Sequence, residues 1–180
     1  SCNSFFHFFI KLANRRFMFR PNSKVFEERR EIFLKNLNGK VAIIPSSNLV
    51  RHHADCEYPF RQDSDFWYLT GFDEPDSVAL FLSHKPKGER FILFVAPKDI
   101  ISEVWNGFRW GIEGAEREFK ADKAHPINEF KALLPHYIAN SEEIFYSIGK
   151  NSAIEKIVLE IFSQQIESRS RVGIGANSIK

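Results

Sequence analysis

Ser77–Val95 reads SVALFLSHKPKGERFILFV. Two apolar runs, Ser77–Leu82 and Phe91–Val95, flank a connection, His84–Glu89, that holds Pro86 and Gly88. Apolar runs of this length between turn residues are the pattern of strands covered on both faces, and the short Pro/Gly connection joins them as an antiparallel hairpin. Upstream, Val41–Ile44 is a third continuous apolar run, closed by Pro45, and downstream Ile144–Ile148 is a fourth. Amphipathic stretches lie between and around these runs. Residues 23–37 predict a helix with Ser23 as its N-cap, Glu27 and Glu28 near its positive end, and Asn38-Gly39 as a left-handed stop. Its apolar positions are Val25, Phe26, Ile32, Phe33 and Leu37. Another helix starts near Pro126 and carries Ile127, Phe130, Leu133 and Leu134. Asn151 caps a third over 152–167, with Ile154, Ile157, Val158, Ile161 and Phe162 on one face. Strands interleaved with helices give an α/β fold, a mixed β-sheet covered by helices in three layers.

Composition bounds what this fold can serve. The 180 residues fit one domain of about 100–200 residues. Nineteen Phe among 43% hydrophobic residues point to an aromatic-rich core. A net charge of +2, from 25 basic and 23 acidic residues of mixed order, carries no footprint for nucleic acid or an anionic membrane. Two cysteines, Cys2 and Cys56, make no disulfide framework and suit a reducing compartment. Residues 1–26 contain no acid, and Phe5, Phe6, Phe8, Phe9 and Ile10 cluster there. The cluster is far short of the ~20 apolar residues of a membrane span, and no basic stretch precedes it as in a secretory signal. Residues 1–17 are expected to be an extension with Met18 as the natural start; a mitochondrial presequence fragment is the alternative. The expected location is cytoplasmic, or mitochondrial on that alternative.

The most informative stretch is Tyr58–Pro75, YPFRQDSDFWYLTGFDEP. Ser64 predicts the cap of a short helix over Asp65–Thr70, which Gly71 ends. Phe66, Trp67, Tyr68, Leu69 and Phe72 are too apolar for a solvated turn and are expected to be covered. Arg61 and Asp65, four apart, are placed to pair. These residues alone describe a well-capped buried turn and name no function.

Tyr58-Pro59-Phe60-Arg61-Gln62, followed by Asp65–Phe72, closely resembles the N-terminal domain of the Xaa-Pro aminopeptidases. The stretch 51–57 (RHHADCE) resembles the segment that precedes the tyrosine there, and Glu103–Gly107 (EVWNG) resembles a later tryptophan-glycine motif. The resemblance covers residues 20–180. It implies a creatinase/prolidase N-terminal domain of ribonuclease H-like fold over residues 18–168, with 169–180 opening a linker to a catalytic domain. That domain would hold two metal ions, usually manganese, on acids and a histidine that lie outside this chain. Within the chain the resemblance implies no catalytic residue, no metal ligand and no cofactor. It implies a domain that shapes access to the cleft and supports a homo-oligomer, dimer or tetramer, with a peptide bound where the domains meet. Trp105 would sit at the substrate cleft or a subunit interface. The fragment alone is expected to be inactive. A prolidase domain and a stand-alone peptide-binding module are the competing readings.

Other constellations carry less. His52-His53 beside Asp55, Cys56 and Glu57 makes a poor chelate, because adjacent residues diverge on either a strand or a helix. Gly173-Ile174-Gly175 has no following helix and reads as linker. Cys56 is expected to be a small buried residue, and His84 to be solvated in its turn. Gly107, Gly111 and Gly114 predict a long loop around Trp105 and Trp110.

Overall fold

A computed structural model describes residues 23–48, 60–98, 109–139, 141 and 143–167, with the backbone alone of 51–52, 56–57, 168–172 and 178–179. Helix α1 (Ser23–Leu37) leads into β1 (Val41–Pro45); β2 (Arg51–His52) and β3 (Cys56–Glu57) form a separate two-stranded ladder. Helix α2 (Ser64–Thr70) precedes the hairpin of β4 (Val78–Leu82) and β5 (Phe91–Val95). Then come α3 (Gly111–Phe119), β6 (Lys123–Pro126), a 3-10 turn at Ile127–Glu129, α4 (Phe130–Ile138), β7 (Glu143–Tyr146), α5 (Ser152–Val172) and β8 (Ser178–Ile179).

Six strands form one sheet in the order β6-β5-β4-β1-β7-β8. Only β4 runs against the others: it is antiparallel to both β1 and β5, while β1/β7, β5/β6 and β7/β8 are parallel. The period-2 alternation of strands splits the core in two. On one face Val41, Ile43, Leu80, Ile92, Phe94 and Ile144 meet α4 and α5 through Phe130, Leu134, Val158 and Ile161. On the other, Ala42, Ala79, Phe81, Leu93 and Val95 meet α1, α2 and α3 through Leu34, Leu37, Phe66, Leu69, Ala115 and Phe119. The three-layer α/β expectation and the hairpin both hold.

Several local expectations do not. Helix α1 buries Phe26, Arg30, Leu34 and Leu37, so its inner stripe passes through an arginine while Ile32 is 64% exposed and Val25 38%. An arginine was out of place in a count of apolar positions, yet its stem packs and its head is hydrogen-bonded. The predicted long loop contains α3 and β6. Gly111, at φ 64, starts α3, and Gly114 lies where a Cβ would come 2.9 Å from Trp110 Cβ. The glycines there permit a start and a close approach; they do not break the helix. The fourth strand stops at Tyr146, leaving Ile148 68% exposed. The last helix runs beyond the expected 167, and 169–180 is not all linker: α5 continues to Val172 and Ser178–Ile179 pairs with Glu143–Ile144. A two-residue Ser-Ile strand has no periodicity to read; the free edge of β7 supplies it. Gly173-Ile174-Gly175 and His53 lie outside the described residues, as does the side chain of Cys56.

Candidate interaction site at the aromatic turn

Gln62 organises the turn that the sequence singled out. Its Oε1 accepts from the N–H groups of Ser47 and Asp63, both at 2.9 Å. Its Nε2 donates to the carbonyls of Phe72 at 3.2 Å and Glu74 at 2.9 Å. Two acceptor sites and two donors exhaust the capacity of a primary amide. One side chain thereby ties the entry and exit of α2 to the segment after β1.

The helix is capped one residue earlier than expected. Asp63 Oδ1, not Ser64, accepts from the N–H groups of Asp65 and Phe66, each at 3.0 Å. Aspartate and serine rank alike at this position, so the sequence left two adjacent candidates and geometry chose the one with the extended backbone. Asp63 Oδ2 and Asp65 Oδ2 both receive Lys150 Nζ, at 2.8 and 2.6 Å. Asp65 is therefore paired with a lysine 85 residues away and not with Arg61. Burial alone would raise the Asp63 pKa, but the lysine and the two backbone donors outweigh it and hold the carboxyl below its ordinary value. Gly71, at φ 67, ends the helix, its N–H donating to Trp67 O at 2.9 Å. A Cβ on Gly71 would meet the Phe26 ring at 2.6 Å.

The aromatic residues divide by face. Phe66 and Phe72 are fully buried; Trp67 is half-buried, its ring 5.1 Å from that of Phe26. Tyr68 contradicts the expectation of cover: it is 55% exposed, with the Arg29 guanidinium 4.1 Å over its ring. Within a seven-residue helix anchored by Phe66 and Leu69, position 68 must face outward. Arg29 also donates to Tyr68 O, and the buried Arg30 to Leu69 O and Phe119 O. Arg30 lies 4.3 Å over the Phe91 ring, and burial draws its pKa down to about 10 against the pull of Glu27, Asp122 and Glu31, so it stays charged at neutral pH. These two arginines lock α1 to the carbonyl end of α2.

Glu74, 3% exposed, accepts the Trp110 N–H at 2.7 Å and lies 3.8 Å from Arg109. Trp110 packs back on its own domain, edge to face with Phe119 at 5.2 Å. An open groove of about 600 Å³ follows the turn, lined by Arg29, Phe60, Arg61, Trp67, Tyr68 and Asp73 among others. His84 is half-buried, and neither of its ring nitrogens, both screened from water, finds a partner among the described residues; burial lowers its pKa. The expectation of a solvated histidine is corrected.

Of the residues singled out from sequence, Arg61, Gln62, Asp65, Phe66, Trp67, Tyr68, Gly71 and Phe72 converge on this turn. Tyr58 and Trp105 lie outside the described residues. Sequence reading missed Arg29, Arg30, Asp63, Glu74 and Lys150. The i, i+4, i+8 spacing of Phe26, Arg30 and Leu34 was a signal for Arg30; nothing local to Lys150 pointed to α2. Among the described residues no three His, Cys, Asp or Glu gather as a metal site, and no helix is long and apolar enough to cross a membrane.

Residues 26–146 match the family described as Aminopeptidase P, N-terminal domain. A Xaa-Pro aminopeptidase of Haemophilus influenzae is 38% identical over 131 residues, 72% of this chain and 30% of that protein. An Arabidopsis thaliana relative named Intermediate cleaving peptidase 55, mitochondrial, is 36% identical over 112 residues, 62% of this chain and 22% of its own length. The structure of the Pseudomonas aeruginosa aminopeptidase PepP superposes with a TM-score of 0.81 at 29% identity, covering 90% of this chain and 37% of the other. The chain thus spans roughly a third or less of the proteins it matches. It belongs to the aminopeptidase P N-terminal domain family.

Proposed function

We propose that this chain is the non-catalytic N-terminal domain of a metal-dependent Xaa-Pro aminopeptidase, which removes an N-terminal residue that precedes proline. The observation that carries this reading is the family match over residues 26–146, joined to a Xaa-Pro aminopeptidase relative at 38% identity. What the chain's own chemistry adds is consistent with a supporting role. Gln62, Asp63, Arg30 and Gly71 are committed to holding the aromatic turn rigid, and a rigid wall positions a peptide without acting on it. The two metal ions, manganese on this reading, would be held by residues beyond Lys180 and would supply an activated water and stabilise the oxyanion. Residues 18–168 would form the domain, with a linker following, and Trp105 would face the cleft, reaching it within a homo-oligomer.

The test uses the full-length protein. Release of the first residue from Xaa-Pro peptides should require manganese, stop with a chelator and return on re-addition. Turnover confined to Xaa-Pro dipeptides would reassign the protein as a prolidase. No turnover on either, with metal bound, would refute the enzymatic reading. The acid-free residues 1–26, with Lys11, Arg15, Arg16 and Arg20, favour a mitochondrial over a cytoplasmic location, and one relative carries a mitochondrial name. A fluorescent reporter carrying residues 1–26 should accumulate in mitochondria; diffuse cytoplasmic signal would return the protein to the cytoplasm.

A further inference from the structure

We propose that the groove beside the aromatic turn docks a proline-rich segment of another protein, held in the polyproline II conformation. The proposal stands apart from the catalytic reading. The groove takes about 600 Å³, inside the ~300–1,000 Å³ of sites that hold small ligands, and so fits a few residues of an extended chain. Three of its lining side chains are aromatic: Tyr68 is 55% exposed, and Phe60 and Trp67 are half-buried. Aromatic-lined grooves of this kind are where proline rings pack. The wall is also fixed in advance. The Gln62 amide ties both ends of α2, Asp63 caps its start, and the Trp67 ring lies 5.1 Å from that of Phe26. A wall that orders nothing on binding loses little entropy, and polyproline II is itself formed before it docks.

Unpaired donors select the occupant. The Tyr68 hydroxyl, the Trp67 indole N–H and the exposed Arg61 guanidinium find no partner among the described residues. The acceptors nearby are taken. Trp67 O receives the Gly71 N–H, Tyr68 O receives Arg29, and Leu69 O receives Arg30. The Gln62 oxygen accepts from two N–H groups and its nitrogen donates to two carbonyls. Asp73 is the one acid among the described lining residues. An ordinary extended peptide brings an N–H at every residue, and against this wall those that are covered would lack an acceptor. Proline brings a carbonyl and no N–H, so a proline-rich chain meets the donors and adds no unmet ones. Two arginines against one aspartate favour acidic residues between the prolines. The eight prolines of this chain are scattered, no two closer than nine positions, so the segment comes from outside these 180 residues.

Binding of dye-labelled probes to the full-length protein tests the assignment. The probe is an N-acetylated decapeptide of prolines with two glutamates; its control has serine in place of every proline. The acetyl group denies an aminopeptidase the free terminus it would need. The proline probe should bind at least about tenfold more tightly than the control. Tyr68→Ala and Arg61→Gln should each weaken it about tenfold at unchanged Tm, because both side chains are exposed. Equal binding of the two probes, or none, overturns the proposal. Full affinity in Tyr68→Ala puts the peptide elsewhere and overturns it too. An unblocked Xaa-Pro peptide with a proline-rich tail checks the source. A KM for it that rises about tenfold in Tyr68→Ala would show the groove serving substrate, which overturns the separate partner. Peptidase activity on a short Xaa-Pro peptide is measured on the same samples. Activity without probe binding sinks the docking and spares the catalytic reading; probe binding without activity does the reverse.

Discussion

Gln62→Glu changes one atom of the side-chain amide and tests the network that holds the aromatic turn. The two bonds accepted by Oε1 from Ser47 and Asp63 survive. The two donated by Nε2 do not, and a carboxylate oxygen is left 3.2 Å from Phe72 O and 2.9 Å from Glu74 O. Each lost partner in a buried setting costs about 1–3 kcal/mol, and Gln62 is half-buried, so ~3 kcal/mol at pH 7 is expected. For a domain of this size that is a fall in Tm of roughly 10 °C. The pH dependence identifies the cause. Facing two carbonyls, the new carboxyl must have a folded pKa above its unfolded value, so its penalty is largest above the folded pKa. The penalty shrinks as pH falls toward the unfolded value near ~4.3, where the protonated acid can donate one of the two lost bonds. Thermal melts of wild type and variant should therefore converge between pH 7 and pH 4.5. Coincident melts at pH 7 would show that Gln62 does not hold the turn. A gap that ignores pH would show that the carboxylate is not its source.

Gly71→Ala should destabilise by ~2 kcal/mol or more, since it combines a left-handed backbone with a contact to Phe26 that has to displace a ring packed against Trp67; denaturant midpoints that match wild type would refute this. The Asp63–Lys150 pair should add an acid-labile component to stability. Asp63 has a lowered folded pKa, so its contribution is present above the unfolded value of about 3.8 and is lost as pH falls below it. Lys150→Ala should reduce that loss, and an unchanged acid transition in the variant would count against it. If the full-length protein is the Xaa-Pro aminopeptidase proposed above, Trp105→Ala should lower its kcat/KM on Xaa-Pro peptides with metal affinity and Tm unchanged. A lower Tm with unchanged kinetics would make Trp105 a core residue.

The layers of this fold were legible because they rest on patterns of short range. Val41–Ile44, Val78–Leu82 and Phe91–Val95 announce covered strands by composition alone, and Asn151 sits where a cap is needed, its Oδ1 accepting the Ile154 N–H at 3.1 Å. Gly71 was read correctly for the same reason: a single residue states its own backbone requirement. What escaped were partners chosen by tertiary structure. Lys150 meets Asp63 from 87 residues away, Glu74 meets the Trp110 N–H from 36, and Arg30 reaches Phe119 across 89. Lys150 and Glu74 leave no mark at their own positions, and the helical spacing that turns Arg30 inward does not name its partner. Helix α3 was hidden by glycines whose purpose is fit against Trp110 and Lys98, a contact that exists only once the chain is folded. Tyr68 was misjudged because aromatic density across α2 concealed which of its faces the sheet would claim.

The position of β1 in the sheet order sets a schedule for the chain as it is made. Its partner β4 begins 37 residues later, at Val78, but its other partner, β7, begins only at Glu143. During synthesis at ~5–20 residues per second, the β1-β4-β5 unit waits several seconds with one edge of Val41–Pro45 bare. That edge is apolar, β-rich and without a charge between Val41 and Pro45, the kind of surface on which nascent chains join one another. Any truncation that stops short of Tyr146 makes the wait permanent, and such a piece should precipitate where one that includes β7 stays in solution.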